Sequence, residues 1–84
     1  MISRKASILP GRLARKYKSN DPFEIAEALD IEVLERSDFK RQKGAFKVIL
    51  NNSFIFINAN LSDEMKRLVC AHELGHALLH RSLG

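Results

Sequence analysis

The chain has 84 residues and a net charge of +4, with 45% apolar and 29% charged residues. This length and composition suit one globular domain with a modest core and exclude a disordered chain. The basic residues near the start are followed by no apolar run, and no stretch is long enough to cross a bilayer, so neither a signal peptide nor a membrane span is expected. The single cysteine, Cys70, excludes an internal disulfide and favours a reducing compartment, so we expect a cytoplasmic protein.

The positive charge lies at one end of the chain. Residues 1–18 contain six basic residues and no acid, so they carry +6 while the remainder carries −2. Such a segment can attract nucleic acid or an acidic partner, but Tyr17 is its only aromatic residue. We therefore favour a solvated basic helix face and rank nucleic-acid binding low.

Two helices and a strand are predicted in the first part of the chain. A short helix covers residues 12–18. A second helix begins at residues 20–22, Asn-Asp-Pro, which supply a capping side chain and a proline suited to the first turn. Residues 31–34 follow as a half-buried strand, because apolar residues alternate there with Glu32 and Glu35. The second helix is expected to bury Phe23, either Ile25 or Ala26, and Leu29.

A β-hairpin is predicted in the middle of the chain. Its first strand covers residues 45–50, after a polar, lysine-rich loop over residues 37–44. Asn51 and Asn52 are expected to form the tight turn, since asparagine tolerates left-handed backbone. The second strand, residues 54–57, is apolar on both faces, which predicts cover on both sides.

The last predicted element is a long helix over residues 62–83. Ser62 can cap it, and the two acids that follow place negative charge where the helix dipole favours it. Helix, strand, hairpin and helix in this order predict an α+β fold with a small antiparallel or mixed sheet. As a single domain, the chain divides into a basic segment (1–19), a helix, strand and hairpin (20–61), and this final helix.

The final helix carries His-Glu-Leu-Gly-His at residues 72–76, the HExxH pattern of zinc peptidases. His72 and His76 lie one turn apart with Cα atoms about 6 Å from each other, so both rings can reach one zinc ion. Glu73 is offset by about 100° around the helix, which is unsuitable for a third ligand but suitable for taking a proton from a zinc-bound water. The alternative is a helix with two ordinary histidines; the hairpin before an amphipathic helix favours the zinc site.

Three neighbouring residues bear on this site. Gly75 lowers helix stability, so we expect a packing or site reason for it. His80 lies about 12 Å along the axis from His72 and cannot share one tetrahedral ion with the pair; it supports a ligand, lies at the edge of the core or contacts substrate. Cys70 projects nearly opposite His72 and is expected to be a small buried residue. The histidines are expected to point inward, because they share a helix face with Met65, Val69 and Leu83.

Residues 60–80, which include His-Glu-Leu-Gly-His-Ala-Leu-Leu-His, resemble the active-site helix of the ImmA/IrrE family of metallopeptidases. Residues 21–33 resemble the early helix and strand of that family, and residues 55–58 resemble the strand before its metal helix. The resemblance implies a zincin-like fold in an intracellular protein of bacteria, phages or mobile elements that cleaves helix-turn-helix repressors.

The same resemblance implies that His72 and His76 bind zinc and that Glu73 is the general base. In the family a third ligand, a glutamate, comes from a helix beyond the motif. Because the sequence ends at Gly84, we interpret it as the N-terminal part of such a domain, either a fragment or a naturally short form. A substitute ligand within the chain requires the fold to bring an acid near the pair; the acids considered are Glu24, Glu27 and Asp38.

The final helix is apolar almost all round, and two histidines hold zinc more weakly than three ligands do. An uncovered apolar surface favours self-association, so a homo-oligomer with this helix at the interface is expected. Two functions stay open. One is a zinc-dependent endopeptidase domain, incomplete in this chain, that acts on a helix-turn-helix repressor and pairs with extended substrate along residues 54–58 unless that strand is internal. The other is a non-catalytic, peptidase-like module that binds a regulator.

Overall fold

The computed structural model describes residues 20–83, with side chains from residue 20 to residue 82. The described part has the predicted α+β class, with two helices packed on one mixed sheet. The predicted helix over residues 12–18 and the basic segment lie outside the described residues. No helix of the described part is both long enough and apolar enough to cross a membrane. The elements in chain order are α1 (Pro22–Ala28), β1 (Ile31–Arg36), β2 (Gly44–Ile49), β3 (Asn52–Asn58) and α2 (Asp63–Leu83).

Helix α1 begins where its sequence predicts. The Asp21 carboxylate caps it by accepting a hydrogen bond from the backbone N–H of Phe23 at 3.1 Å, and a proline occupies the first position. The sequence predicts that either Ile25 or Ala26 is buried. Both are fully buried in the core. Asp30 then takes a positive φ of 62° and leads the chain into β1.

The sheet has the strand order β1-β3-β2. β3 runs parallel to β1, with Val33 opposite Ile55, and antiparallel to β2, with Phe46 opposite the same residue. The strand considered as an edge for extended substrate is therefore internal. The edges of the sheet formed by the described residues are β1 and β2.

The hairpin turn lies one residue earlier than predicted. Ile49 pairs with Asn52, so the turn residues are Leu50 and Asn51, with φ values of 53° and 67°. Two positive φ values are typical of a type I′ turn, whose twist matches that of the flanking strands. The prediction of an Asn51-Asn52 turn is wrong because the register places Asn52 in β3, where its side-chain amide donates to the Leu50 carbonyl at 3.2 Å.

The two faces of the sheet are unequally covered. One face packs against the helices, and its residues Ile31, Ile55 and Ile57 belong to the buried core. On the other face Phe54 and Phe56 stack with ring centroids 5.9 Å apart and remain half-buried outside that core. Within residues 20–83, the prediction that both faces are covered is therefore met on one face only.

Polar contacts connect helix α2 to β1 and to the end of α1. The Ser62 hydroxyl caps α2 by accepting from the backbone N–H three residues later at 3.1 Å, as predicted. Lys66 forms an ion pair with Glu35 of β1 at 3.0 Å. Near the other end of α2, Arg81 donates to the carbonyl of Leu29 at 2.7 Å, which satisfies a backbone group at the end of α1. These contacts set the position of α2 on the sheet.

Candidate metal centre

The side chains of the two histidines of the HExxH pattern contact each other on the exposed side of helix α2. His72 and His76 are exposed, and their Nε2 atoms lie 3.1 Å apart. Their ring centroids are 4.6 Å apart and the ring planes are perpendicular. Helical i, i+4 spacing places the two side chains on one face of α2, one turn apart, so the rings can contact each other.

This separation fits two ligands of one zinc ion. Imidazole nitrogens bind zinc at about 2.0–2.1 Å, so two of them on a tetrahedral ion lie about 3.3 Å apart. The observed 3.1 Å is close to that value. The donor chemistry also fits, because neutral imidazole nitrogen is a common zinc ligand. The pair therefore has the donor atoms and the spacing that two positions of a zinc site require.

Of the three polar residues of the motif, only Glu73 is buried. It is 8% exposed and lies beside the start of β2, where a Cβ added to Gly44 would be 3.5 Å from its Cγ. The prediction that the histidines point into the domain is wrong. They lie on the solvent side because other side chains of α2 form its packed face at helical spacing. The buried residues of α2 are Val69, Cys70, Ala71, Glu73, Leu74 and Ala77.

No third ligand joins the pair within residues 20–82. No group of three or more His, Cys, Asp or Glu side chains in that range is arranged to hold a metal ion. His80 instead packs on Phe46 of β2, with ring centroids 5.8 Å apart. Of its three possible roles, this contact matches the edge-of-core position. The fold also brings to the pair none of the acids considered as substitutes, which were Glu24, Glu27 and Asp38.

Cys70 takes no part in the centre. It is fully buried on the packed face of α2, as its position on the helix predicts. Burial, with a smaller contribution from Asp21, raises the pKa of its thiol to about 12. The thiol is therefore protonated at neutral pH and behaves as a small apolar group rather than as a metal ligand.

A groove of about 410 Å³ opens beside the histidine pair. This volume is within the range of sites that enclose small ligands. The cations in its wall come from the loop before β2, and sequence reasoning missed them because no spacing relates that loop to α2. The only signal was the lysine-rich composition of residues 37–44. The lining residues are Arg41, Lys43, Gly44, Met65, Leu68, Val69, His72 and Glu73.

The free edge of β2 lies beside the same groove. The Lys43 carbonyl accepts from the backbone N–H of Asn58 at 2.8 Å, so the alternation of an antiparallel ladder directs the backbone groups of Gly44 and Phe46 away from β3. The Gln42 side-chain amide donates to the Gly44 carbonyl at 3.0 Å, as expected for a group that faces outward. Among the described strands, β2 therefore offers an edge next to the histidines.

A small mixed sheet followed by a helix that presents a His-x-x-x-His pair, with a glutamate beside it, is the arrangement of the HExxH metallopeptidase class. The family described as the IrrE N-terminal-like domain, Peptidase_M78, matches residues 26–84. The chain therefore belongs to this family of zinc metallopeptidases, which confirms the ImmA/IrrE resemblance.

One curated relative is an uncharacterized immunity region protein 2 from Bacillus phage phi105. It is 41% identical over 69 residues, which are 82% of this chain and 44% of the relative. The chain thus matches less than half the length of that protein. No solved structure gives a significant match.

Proposed function

We propose that this chain carries the metal-binding helix of a zinc-dependent endopeptidase in which His72 and His76 bind the ion through Nε2. The observation that carries the proposal is the 3.1 Å separation of these two nitrogens on an HExxH helix. Membership of a zinc metallopeptidase family supports it. The third ligand is proposed to come from a segment outside the described residues, because none of those residues supplies it.

The two histidines and Glu73 have different roles in the proposed peptide hydrolysis. A bound zinc ion supplies Lewis-acid activation of a peptide carbonyl and of the attacking water. His72 and His76 fix the position at which this happens, next to the groove that His72 lines. Glu73 takes the proton from the attacking water and returns it to the leaving amine nitrogen, the role expected of a positioned carboxylate. It is buried beside β2 and lines the groove together with His72, so the base lies next to the proposed ligands.

The proposed substrate is a helix-turn-helix transcriptional repressor, cut in an extended segment and in the cytoplasm. The free edge of β2 beside the groove can accept an extended segment by strand addition. The relative from the immunity region of a phage supports a regulator as the target.

Equilibrium dialysis against zinc, followed by metal analysis, tests the centre directly. We expect the metal content of the wild-type chain to exceed that of His72→Ala and of His76→Ala, which each remove one of two ligands. His80→Ala is the matched control on the same helix and should keep the wild-type metal content. Equal zinc content in wild type and His72→Ala would contradict the proposed ligands.

Catalysis is tested by incubating the whole gene product with a co-encoded repressor. Glu73→Gln should leave bound zinc in place and slow cleavage by roughly 10²–10⁴-fold, the usual contribution of a general base.

A second candidate function is a binding module that recognises a regulator without cutting it. The observation that favours it is that the described residues supply two ligands and no third. If the zinc-loaded protein binds the repressor with no cleavage, and Glu73→Gln leaves that binding unchanged, this second function is correct.

A further inference from the structure

Resting on the proposed peptidase function, we infer that the groove beside the histidines is a subsite for a glutamate side chain of the substrate. Arg41 and Lys43 bind its carboxylate and the apolar floor of the groove receives its methylene groups. Neither of these two cations belongs to the HExxH motif.

The two cations in the groove lining, Arg41 and Lys43, form no ion pair with another described residue. Ion pairs within the described part of the chain include Arg36–Asp38, Lys66–Glu35 and Arg67–Asp21. Both cations are exposed and line the groove.

The one acid in the groove lining is Glu73, which is 8% exposed. Two exposed cations and one largely buried carboxylate line the groove, so its exposed charge is positive and favours an anionic group.

The floor of the groove is apolar. Val69 is 7% exposed, Met65 is half-buried and Leu68 is 44% exposed, all on successive turns of α2 before the histidines. A ligand that matches this surface has an aliphatic stem and a charged end, since long charged side chains lay their methylene groups on apolar surface. Glutamate has two methylene groups and aspartate has one, so glutamate covers more of the floor when its carboxylate reaches the cations.

The loop that carries the cations is fixed to the sheet. Asn58, at the end of β3, is 7% exposed, and its side-chain amide donates to the Gln42 carbonyl at 3.1 Å. Its backbone N–H donates to the Lys43 carbonyl at 2.8 Å, and its side-chain oxygen accepts from the N–H of Asn60 at 2.9 Å. Two successive carbonyls of the loop are thus tied to one buried residue. A backbone held in this way lowers the entropy lost when Arg41 and Lys43 bind a ligand.

The groove lies where it can bind a substrate residue close to the bond that is cut. His72 and Glu73 line it together with the cations. A peptide added to the free edge of β2 directs every second side chain toward the helix side of the sheet, where the groove lies. The preferred glutamate is therefore a near neighbour of the scissile bond, on the side that faces the N-terminal half of α2.

Peptide titration followed by NMR chemical shifts tests the inference on the intact chain, with and without added zinc. The probes are two extended ten-residue peptides of threonine, valine and alanine that differ only in a central glutamate or glutamine. We expect the glutamate peptide to bind about three- to tenfold more tightly, the range that one or two partly exposed ion pairs supply. Arg41→Gln and Lys43→Gln should each remove most of that preference.

Lys40→Gln is the matched control, because Lys40 lies in the same exposed loop but does not line the groove. It should keep the wild-type preference. Equal binding of the two peptides, or no binding of either at millimolar concentration, would overturn the inference, as would an equal loss of preference in Lys40→Gln and Arg41→Gln.

Zinc content, measured in the same samples, reports separately on the proposed metal centre. A glutamate preference that persists in a chain unable to bind zinc would count against the peptidase and leave the subsite standing. Bound zinc with no glutamate preference would support the metal centre and overturn the subsite.

Discussion

The two glycines near the site have opposite surroundings. A Cβ at Gly44 would lie 2.5 Å from Cγ1 of Val69 and 2.9 Å from the Phe56 carbonyl, so α2 and β3 both approach that backbone closely. A Cβ at Gly75 would have nothing within 4 Å in the described part of the chain. The sequence drew attention to Gly75 because it interrupts a helix, whereas the close approach at Gly44 depends on which elements pack together.

We predict that Gly44→Ala destabilises the chain by about 1–3 kcal/mol, because the added methyl group overpacks the contact between β2 and α2. The matched substitution Gly75→Ala should stabilise it by about 0.5–1 kcal/mol, since alanine is the better helix former and meets no neighbour. Urea unfolding followed by circular dichroism measures both changes. A stabilising Gly44→Ala would contradict the packing described between β2 and α2.

At the scale of elements, regular patterns are read well from the sequence and turns are not. The cap at Asp21, the alternation of β1 and the start of α2 follow from local chemistry, and all three lie where they are predicted. The hairpin turn shifts because Leu50, at φ 53°, adopts a backbone conformation that leucine rarely prefers. Pairing of the strands, with Ile49 opposite Asn52, overrides that local preference.

The orientation of the metal helix could not be predicted for a related reason. The apolar residues of α2 are distributed almost all round the helix, so their pattern alone does not show which side packs against the sheet. The position of the sheet decides that Glu73 is buried and that His72 is exposed. The motif therefore predicts which residues form the centre, while the tertiary structure determines which of them faces solvent.

Leu50 offers a test of the turn. We predict that Leu50→Asn stabilises the hairpin by about 0.5–1 kcal/mol, because asparagine tolerates positive φ and Leu50 is 90% exposed, so little packing is lost. Leu50→Val should destabilise it, since a β-branched residue is least suited to that conformation. Thermal unfolding of both variants measures the difference, and equal melting temperatures would show that the turn is not of this type.

On the scale of the whole molecule, the helices cover one face of the sheet and leave an apolar strip on the outer side of α2. Leu68 is 44% exposed and Leu79 is 56% exposed, on the helix that also presents His72 and His76. Exposed apolar surface of this kind commonly marks an interface.

We predict that the chain self-associates through this strip. Sedimentation equilibrium should give a mass above the 9.6 kDa of one chain, and the double substitution Leu68→Gln with Leu79→Gln should lower it toward that value. Ile49→Gln is the control, because Ile49 is 48% exposed on the sheet and away from α2. A wild-type chain that remains at 9.6 kDa at high concentration would contradict this prediction.

The outward backbone groups of Gly44 and Phe46 have a consequence for solubility. An unpaired strand edge is a template on which any other extended chain can assemble, including a second copy of this one. Lys43 and Lys47 lie at and near that edge, and lysine there opposes growth of a ladder between copies by like-charge repulsion. The edge proposed to receive substrate is thus also an edge on which copies of the chain can aggregate, and a bound substrate would protect it.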